Sequence, residues 1–481
     1  MKRILKYTWI LGIVFFSSCG NWLDVEPSDQ VSEEQQYSKA EGFYNQLNGI
    51  YKTVASQNLY GKELTWGFLD VLAQYYNMET SECENYGYRN GAVFKYEDKE
   101  VKPYFDRFWE KMYNTIANCN NLIQNVTIAD STLFPLRTFE QRCIEGEVRA
   151  LRAMLHFDLL RMYAPAPRVD STGKYMPYVD VFPTHIPLNI PTNEFLAKVQ
   201  QDLMEAHKLT ANYDTTYCGN ISNITYRLGL TTDGTLPRFM NHRGYRLNHY
   251  AIKGLLARVA LYRGNKEEAI YWAKETLKYR KWFPFNAGYE IEYDHNVKLY
   301  GDVLFALYNN NATKYEQEEN TGTSRMVAND FYTLFTDEDE YDSRRWQWRE
   351  ESDGEMVPVK FKKVESADPM INICNLMLPM IRMSEMYYIL AECYYEKDKT
   401  KAETYLNAVR NARDCDSELP ETSSQDDFNH LILRDLMREL YGEGQLFFFY
   451  KRLGMDALGY GEDKIQYGKH YVFPIPESND I

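Results

Sequence analysis

Tryptophan and tyrosine gather in the irregular parts of this chain, and their chemistry is that of a platform rather than a nucleophile. Trp66 is followed by Tyr75-Tyr76-Asn77, then by Tyr86 and Tyr88 in a stretch rich in Gly and Asn. Trp282, Tyr289, Tyr293, Trp346 and Trp348 come further along. The apolar C–H faces of sugar rings stack on such rings, while Asn, Asp and Arg side chains bond the hydroxyls. Aromatics with a few convergent polar groups are the general make-up of a binding site. These residues are the candidate ligand contacts.

Bond-making chemistry has no comparable signature. HExxH, GxSxG, GxGxxG and the Walker A pattern are absent from the sequence. No catalytic residue and no cofactor is assigned. His156 and His249 fall in helical stretches without converging partners, where a histidine reads as a core or surface residue. The run Asp337-Glu338-Asp339-Glu340-Tyr341-Asp342 lacks the glycine and spacing of an EF-hand loop. It is expected to be a solvated acidic loop, and no metal site is assigned.

The 481 residues are 44% apolar and 26% charged, the balance of a globular protein with room for a large core. The net charge of −15 argues against a nucleic-acid partner, which wants a basic stripe. It suits neutral or cationic ligands better than polyanions. At the start, Lys2, Arg3 and Lys6 precede the apolar run Trp9 to Phe16. A spanning helix needs about 20 apolar residues, so this run is too short and fits a secretory signal. Phe16-Ser17-Ser18-Cys19 resembles a bacterial lipobox, which implies removal of residues 1–18 and a lipid on Cys19. Seven further cysteines, an odd number in no CxxC arrangement, cannot all pair within the chain. Cys393 falls on an apolar helix face and reads as a small buried hydrophobe.

Helical periodicity must supply the frame that positions the aromatic loops. Ile252, Leu255, Leu256 and Val259 recur at i, i+3, i+4, i+7, Gly264-Asn265 breaks the pattern, and Ala269, Ile270, Ala273 and Leu277 resume it. A second such pair joins Met386, Ile389, Leu390 and Cys393 to Ala402, Tyr405, Leu406 and Val409 through a turn at 397–400. Such hairpins resemble tetratricopeptide repeats, although the full repeat signature is absent. Further helices are expected at 33–54, 104–126, 145–163 and 431–450, the last with a buried Phe447-Phe448-Phe449 run. Six prolines between 165 and 191 exclude a helix there. Residues 281–380 read as a second long irregular insertion, and long loops in compact proteins are usually functional. The sequence therefore reads as a leader, 1–18, followed by one mostly α body, 19–481, with loop insertions at about 165–191 and 281–380.

Several segments resemble the SusD/RagB family of outer-membrane nutrient-binding lipoproteins of the Bacteroidetes. They are Trp22-Leu23-Asp24-Val25-Glu26-Pro27; Glu147-Val148-Arg149-Ala150-Leu151-Arg152-Ala153 with Phe157-Asp158-Leu159-Leu160-Arg161-Met162-Tyr163; Pro379 to Glu385 running into Ala391-Glu392; Leu406 to Arg410; Glu439 to Gly444; and Phe473-Pro474-Ile475-Pro476. Ala164 stands where the family usually has Gly, and Phe448 to Arg452 replaces its usual Asp-Leu pair. The resemblance implies a right-handed scaffold of tetratricopeptide-like helix pairs with a loop-rich ligand-binding half and little β. It implies a lipoprotein anchored at Cys19, on the outer membrane and facing the cell exterior. Its partner would be a SusC-like TonB-dependent transporter. The ligand would be an oligosaccharide or polysaccharide, with oligopeptides or another nutrient as the alternative and a surface glycoside hydrolase as the reading from another class.

Overall fold

The computed structural model describes residues 33–78, 83–185, 187–319, 325–329, 331–458, 464–465 and 468–477. The leader, the proposed anchor Cys19 and the Trp22–Pro27 segment lie outside them.

Ten of the longer helices set the architecture used below. They are α1 (Ala40–Val54), α2 (Lys102–Ile128), α3 (Thr138–Tyr163), α4 (Thr192–Thr216), α5 (His249–Tyr262), α6 (Lys266–Leu277), α7 (Met383–Tyr394), α8 (Lys399–Asn411), α9 (Gln425–Glu439) and α10 (Leu446–Leu453). Each packs on the next in a nearly unbroken series: α1 on α2, α2 on α3, α3 on α4, α4 on α5, α5 on α6, α6 on α7, α7 on α8 and α9, and α9 on α10. This is the helix-pair scaffold that the periodicity foretold. One hydrophobic core runs through it, from Ala40 to Phe473.

Local sequence explains where the helices begin and end. Asn248 starts α5 by accepting from the N–H groups of Tyr250 and Ala251, and Asn265 starts α6 by accepting from Glu268. Gly264, at φ +79°, turns the chain between them. Asp398 caps α8, and Ser424 forms a reciprocal capping box with Asp427 on α9. The close approach of α5 to its neighbours needs small residues, and Ala257, Ala260, Ala269 and Ala273 are all buried.

One helical expectation is corrected. The segment 431–450 is not one helix but the end of α9 and most of α10, separated by a turn at 440–445. Gly442 and Gly444 adopt φ +74° and +66°, and a Cβ at Gly444 would stand 2.1 Å from the Leu64 carbonyl oxygen, so only glycine fits. The freed Glu439 carbonyl accepts from Arg382 at 2.8 Å, and the Tyr441 carbonyl accepts from the Lys360 ammonium at 2.6 Å. A helix that the sequence reading did not place is α4, which follows the proline-rich stretch directly. Its buried stripe of Phe195, Leu196, Val199, Leu203 and Ala206 packs on α3 and α5.

Strands are few and short. The described residues hold four two-stranded antiparallel pairs. Three are used here: β1 (Lys174–Met176) with β2 (Ile190–Pro191), β3 (Val303–Tyr308) with β6 (Met377–Arg382), and β4 (Trp348–Glu350) with β5 (Met356–Pro358). The β3–β6 pair gives the 281–380 stretch a buried spine, so that stretch is less irregular than its composition suggests. Its register sets Val303 opposite Arg382 and Tyr308 opposite Met377. Cys83, Cys119, Cys143, Cys374, Cys393 and Cys415 are buried free thiols.

Candidate ligand-binding face

The structure divides the candidate aromatics into two groups. Trp66, Tyr75, Tyr76, Asn77, Tyr88 and Trp348 are buried. Their loops fold inward, and the aromatic tips find partners inside. Tyr76 Oη donates to the Trp66 carbonyl at 2.7 Å and lies 2.9 Å from Tyr441 Oη. Tyr88 Oη donates to the Glu63 carboxylate at 2.8 Å, and Tyr75 Oη to the Met437 carbonyl at 3.2 Å. Trp66 stacks on Phe361, and Trp348 packs against Tyr441. The backbone N–H of Asn77 donates to the Val327 carbonyl at 2.9 Å. The expectation that these six residues present a stacking face to a ligand is corrected, because their positions in the fold give them to packing. Trp282 is half-buried against Tyr250 and Tyr279.

The remaining four are exposed: Tyr86 by 66%, Tyr289 by 62%, Tyr293 by 71% and Trp346 by 46%. Tyr86 opens a short helix, Tyr86–Ala92, with the Arg89 guanidinium 6.0 Å from its ring centre. Tyr289 and Tyr293 belong to the helical turn Gly288–Glu292 and its end, and Trp346 to the 3₁₀ turn Ser343–Gln347. These two turns pack directly on each other. The chain therefore brings Trp346 beside Tyr289 and Tyr293, over fifty residues earlier in sequence, on two adjoining turns. Tyr341, just before the second turn, is exposed as well. It was not singled out from the sequence. The signal was there, since an aromatic between acidic neighbours has no apolar face to share.

One buried guanidinium ties this face together. Arg413 donates to the Asn286 carbonyl at 3.2 Å, just ahead of the first turn. Its own carbonyl accepts from Ser343 N–H and Ser343 Oγ, at 2.9 and 3.0 Å, at the start of the second. Behind, its Nε and Nη2 donate to Glu439 at 3.0 and 2.9 Å. Gly288 has no side chain where a Cβ would meet Asp414 and Ser343, which lets the turns close up. Asp414 stands largely exposed beside them, and the partial desolvation of its carboxyl, with Asp416 and Asp342 nearby, pushes it upward. The face thus offers flat rings flanked by a carboxylate that can accept hydrogen bonds.

The acidic run next to this face is not a fully solvated loop. Asp337, Glu338 and Glu340 are exposed, but Asp339 and Asp342 are buried. Asp342 takes two bonds from Arg344, at 2.8 and 2.6 Å, and one from Arg438 at 3.1 Å. Arg438 also donates to Asp339 at 2.6 Å. Burial disfavours charge on Asp342, but Arg344 outweighs it and holds the carboxyl below its usual range. Among the described residues no group of His, Cys, Asp and Glu could hold a metal ion.

The motif residues are framework in the same way. Glu147 pairs with Arg243 and accepts from Tyr51, Arg152 forms a two-bond pair with Asp202 at 2.8 and 2.6 Å, and Arg258 does so with Glu385 at 2.7 Å. Arg452 grips Glu392 with two bonds of 2.6 Å. Phe448 and Phe449, where the pattern departs from the resembled family, line a cavity of about 70 Å³ between α3, α5, α7, α9 and α10. His156 is a core residue, as its sequence context suggested.

Comparison with known proteins points one way. Residues 298–477 match the family model described as "SusD family", and residues 21–218 match one described as "Starch-binding associating with outer membrane". Among solved structures, a SusD-like carbohydrate binding protein from Bacteroides vulgatus superposes with a TM-score of 0.67 at 19% identity, covering 92% of this chain and 96% of its own. A SusD superfamily protein from Bacteroides thetaiotaomicron gives 0.67 at 22% identity, over 90% and 93% of the two chains. One from Bacteroides fragilis gives 0.67 at 16%, over 92% and 97%. No curated protein matches the chain. No described helix is long and apolar enough to cross a membrane.

Proposed function

Since the chain belongs to the SusD/RagB family, we propose that it is a cell-surface lipoprotein that binds an oligosaccharide or polysaccharide and hands it to a SusC-like TonB-dependent transporter. Cys19 carries the lipid that holds it to the outer membrane, facing outward, after removal of residues 1–18. Residues 19–481 act as one body. The role is capture rather than turnover. The observation that carries the reading is the face formed by Tyr289, Tyr293 and Trp346, with Tyr341 and Asp414 alongside. Exposed rings on rigid, mutually braced turns cost little entropy to present, which favours binding of flat apolar sugar faces.

Calorimetric titration of the mature chain with a panel of glycans, and a parallel panel of peptides, tests this. A glycan ligand is expected, and Trp346→Ala and Tyr289→Ala should each weaken its binding about tenfold, the equivalent of about 1.4 kcal/mol. Tyr86→Ala, on a separate turn, measures whether that residue belongs to the same site. Unchanged affinity in the Trp346 and Tyr289 variants would remove the face from the function. Binding of peptides alone would replace the ligand class, and release of shorter sugars on incubation would replace capture by hydrolysis.

A further inference from the structure

Lys298 is a buried ammonium whose hydrogen-bond partners are carbonyls. It lies between the Gly288–Glu292 turn and β3, and its Nζ donates to the carbonyl oxygens of Asn375 and Met377, each at 2.8 Å. It sits 5.1 Å from the centre of the Phe361 ring. Among the described residues no carboxylate pairs with it, and the groups that act on its charge are the Cys374 thiol and the Lys360 ammonium. An ammonium has three donors, so one remains for another partner. Two residues earlier, Asn296 is 2% exposed. Its Oδ1 accepts from the Tyr300 N–H at 3.3 Å, which fixes the amide's orientation, and its Nδ2 has no partner.

Lys298 and Asn296 line one small cavity, together with His295, Lys360, Lys362 and Cys374. The space open to the centre of a water-sized sphere is about 10 Å³, enough for a single-atom occupant. Lys360 already faces Glu443 at 2.8 Å, and Lys362 lies 3.8 Å from Glu351. Of the three lysines of this cavity Lys298 is the one left without a carboxylate among the described residues, a costly arrangement unless an anion joins it or the proton leaves. Burial, against a small opposing effect of Cys374 and with the Lys360 ammonium adding to it, pushes the Lys298 ammonium down to about 7.

We propose that this cavity is a halide site, in which chloride accepts from Lys298 Nζ and Asn296 Nδ2. A water molecule could occupy the same volume, but it would leave the buried charge uncompensated and would bring donors to a wall that already has spare donors. The site also has a structural consequence. The Asn296 N–H donates to the Glu290 carbonyl at 2.9 Å, and Lys298 holds the same segment to Asn375 and to Met377 of β6. Chloride would thereby steady the segment that follows Tyr289 and Tyr293. Any effect on sugar capture rests on the function proposed above; the halide site does not.

Thermal unfolding of the mature chain in sodium chloride, bromide and gluconate at equal ionic strength tests the proposal. Chloride and bromide are expected to raise the melting temperature by about 2 °C with saturation, and gluconate, too large for the cavity, should not. Crystals grown in bromide should show an anomalous peak between Lys298 and Asn296. Asn296→Asp places a carboxylate in the same cavity and should fold while losing the halide dependence. Lys298→Met is a second variant, which should lose it by removing the cation. Equal melting in all three salts, no bromide peak, or an undiminished halide response in Asn296→Asp would overturn the site. Loss of sugar binding in the Trp346 and Tyr289 tests bears on the aromatic face alone, so the two readings fail separately.

Discussion

Glu439→Gln is expected to destabilise the protein by about 3–5 kcal/mol, the usual result of removing one partner from a buried ion pair. Glu439 is fully buried, and its carboxylate accepts from Arg382 at 2.5 Å and from Arg413 at 2.9 and 3.0 Å, with Arg344 at 3.6 Å. Burial works against its charge, but Arg413 and Arg382 outweigh it and hold the group well below the usual carboxylate range. The amide of glutamine would offer one acceptor oxygen and turn an N–H₂ group toward a guanidinium. Arg382 would keep Asp302 and Glu443, and Arg413 would keep the Asn286 carbonyl. Neither would recover the lost charge. Urea denaturation of the two proteins gives the difference directly. The exposed pair of Lys397 and Glu267 supplies the contrast, since Glu267→Gln should leave the midpoint where it is. A Glu439→Gln midpoint equally unmoved would mean that the network adds nothing beyond packing.

The same substitution should reach the aromatic face. Arg413 bridges Glu439 to Asn286 and Ser343, the residues that set the two turns carrying Tyr289 and Trp346. Without its carboxylate partner Arg413 loses the anchor that orients it. Hydrogen exchange should rise at 286–293 and 343–347 before the helices open, because local openings follow the weakest set of contacts.

The helical frame was legible because its signal is local. Ile252, Leu255, Leu256 and Val259 announce α5 within eight residues, and Gly264 ends it. α4 went unread because it begins directly after Pro191, where the density of prolines dominated the reading, although proline is also a helix starter. The break at Gly442 and Gly444 was hidden for a different reason. Only the approach of Leu64 to Gly444 and of Phe361 to Gly442, both far away in sequence, leaves no room for side chains there. The aromatic loops failed as evidence on the same ground. Tyr76 is buried by Tyr441 and Trp66 by Phe361, and no local pattern encodes partners hundreds of residues away. Asp342 likewise lost its solvent to Arg438. What could be read at Tyr289, Tyr293 and Trp346 was the residue type, while their adjacency came from the packing of two turns.

Acidification from pH 7 to 4.5 is expected to remove about 3 kcal/mol of stability through His156 alone. The ring is fully buried on α3 and stacks on Tyr178 with centroids 3.9 Å apart. Its Nδ1 lies 3.0 Å from the Arg152 carbonyl and donates to it, while Nε2 accepts from the Val179 N–H at 3.1 Å. An imidazolium has no acceptor, so protonation would set two N–H donors against each other. Burial, then the neighbouring Arg152 guanidinium, push the group down to about 3 from 6.5, with the bond to the Arg152 carbonyl and Asp180 opposing and Lys198 adding slightly. In the unfolded chain the ring takes up its proton near 6.5; in the fold it does so near 3. Between those values the unfolded state binds more protons, so stability falls as the pH falls, by about 1.4 kcal/mol per unit. Asp70 and Asp214, whose carboxyls burial pushes upward, act in the opposite direction. The wild-type curve alone therefore mixes both signs. His156→Gln isolates the histidine, because a glutamine amide can donate and accept but not titrate in this range. Urea denaturation at the two pH values should show a drop about 3 kcal/mol smaller in the variant than in the wild type. The same drop in both would mean that His156 is protonated in the fold without penalty, and that Nε2 does not depend on the Val179 N–H.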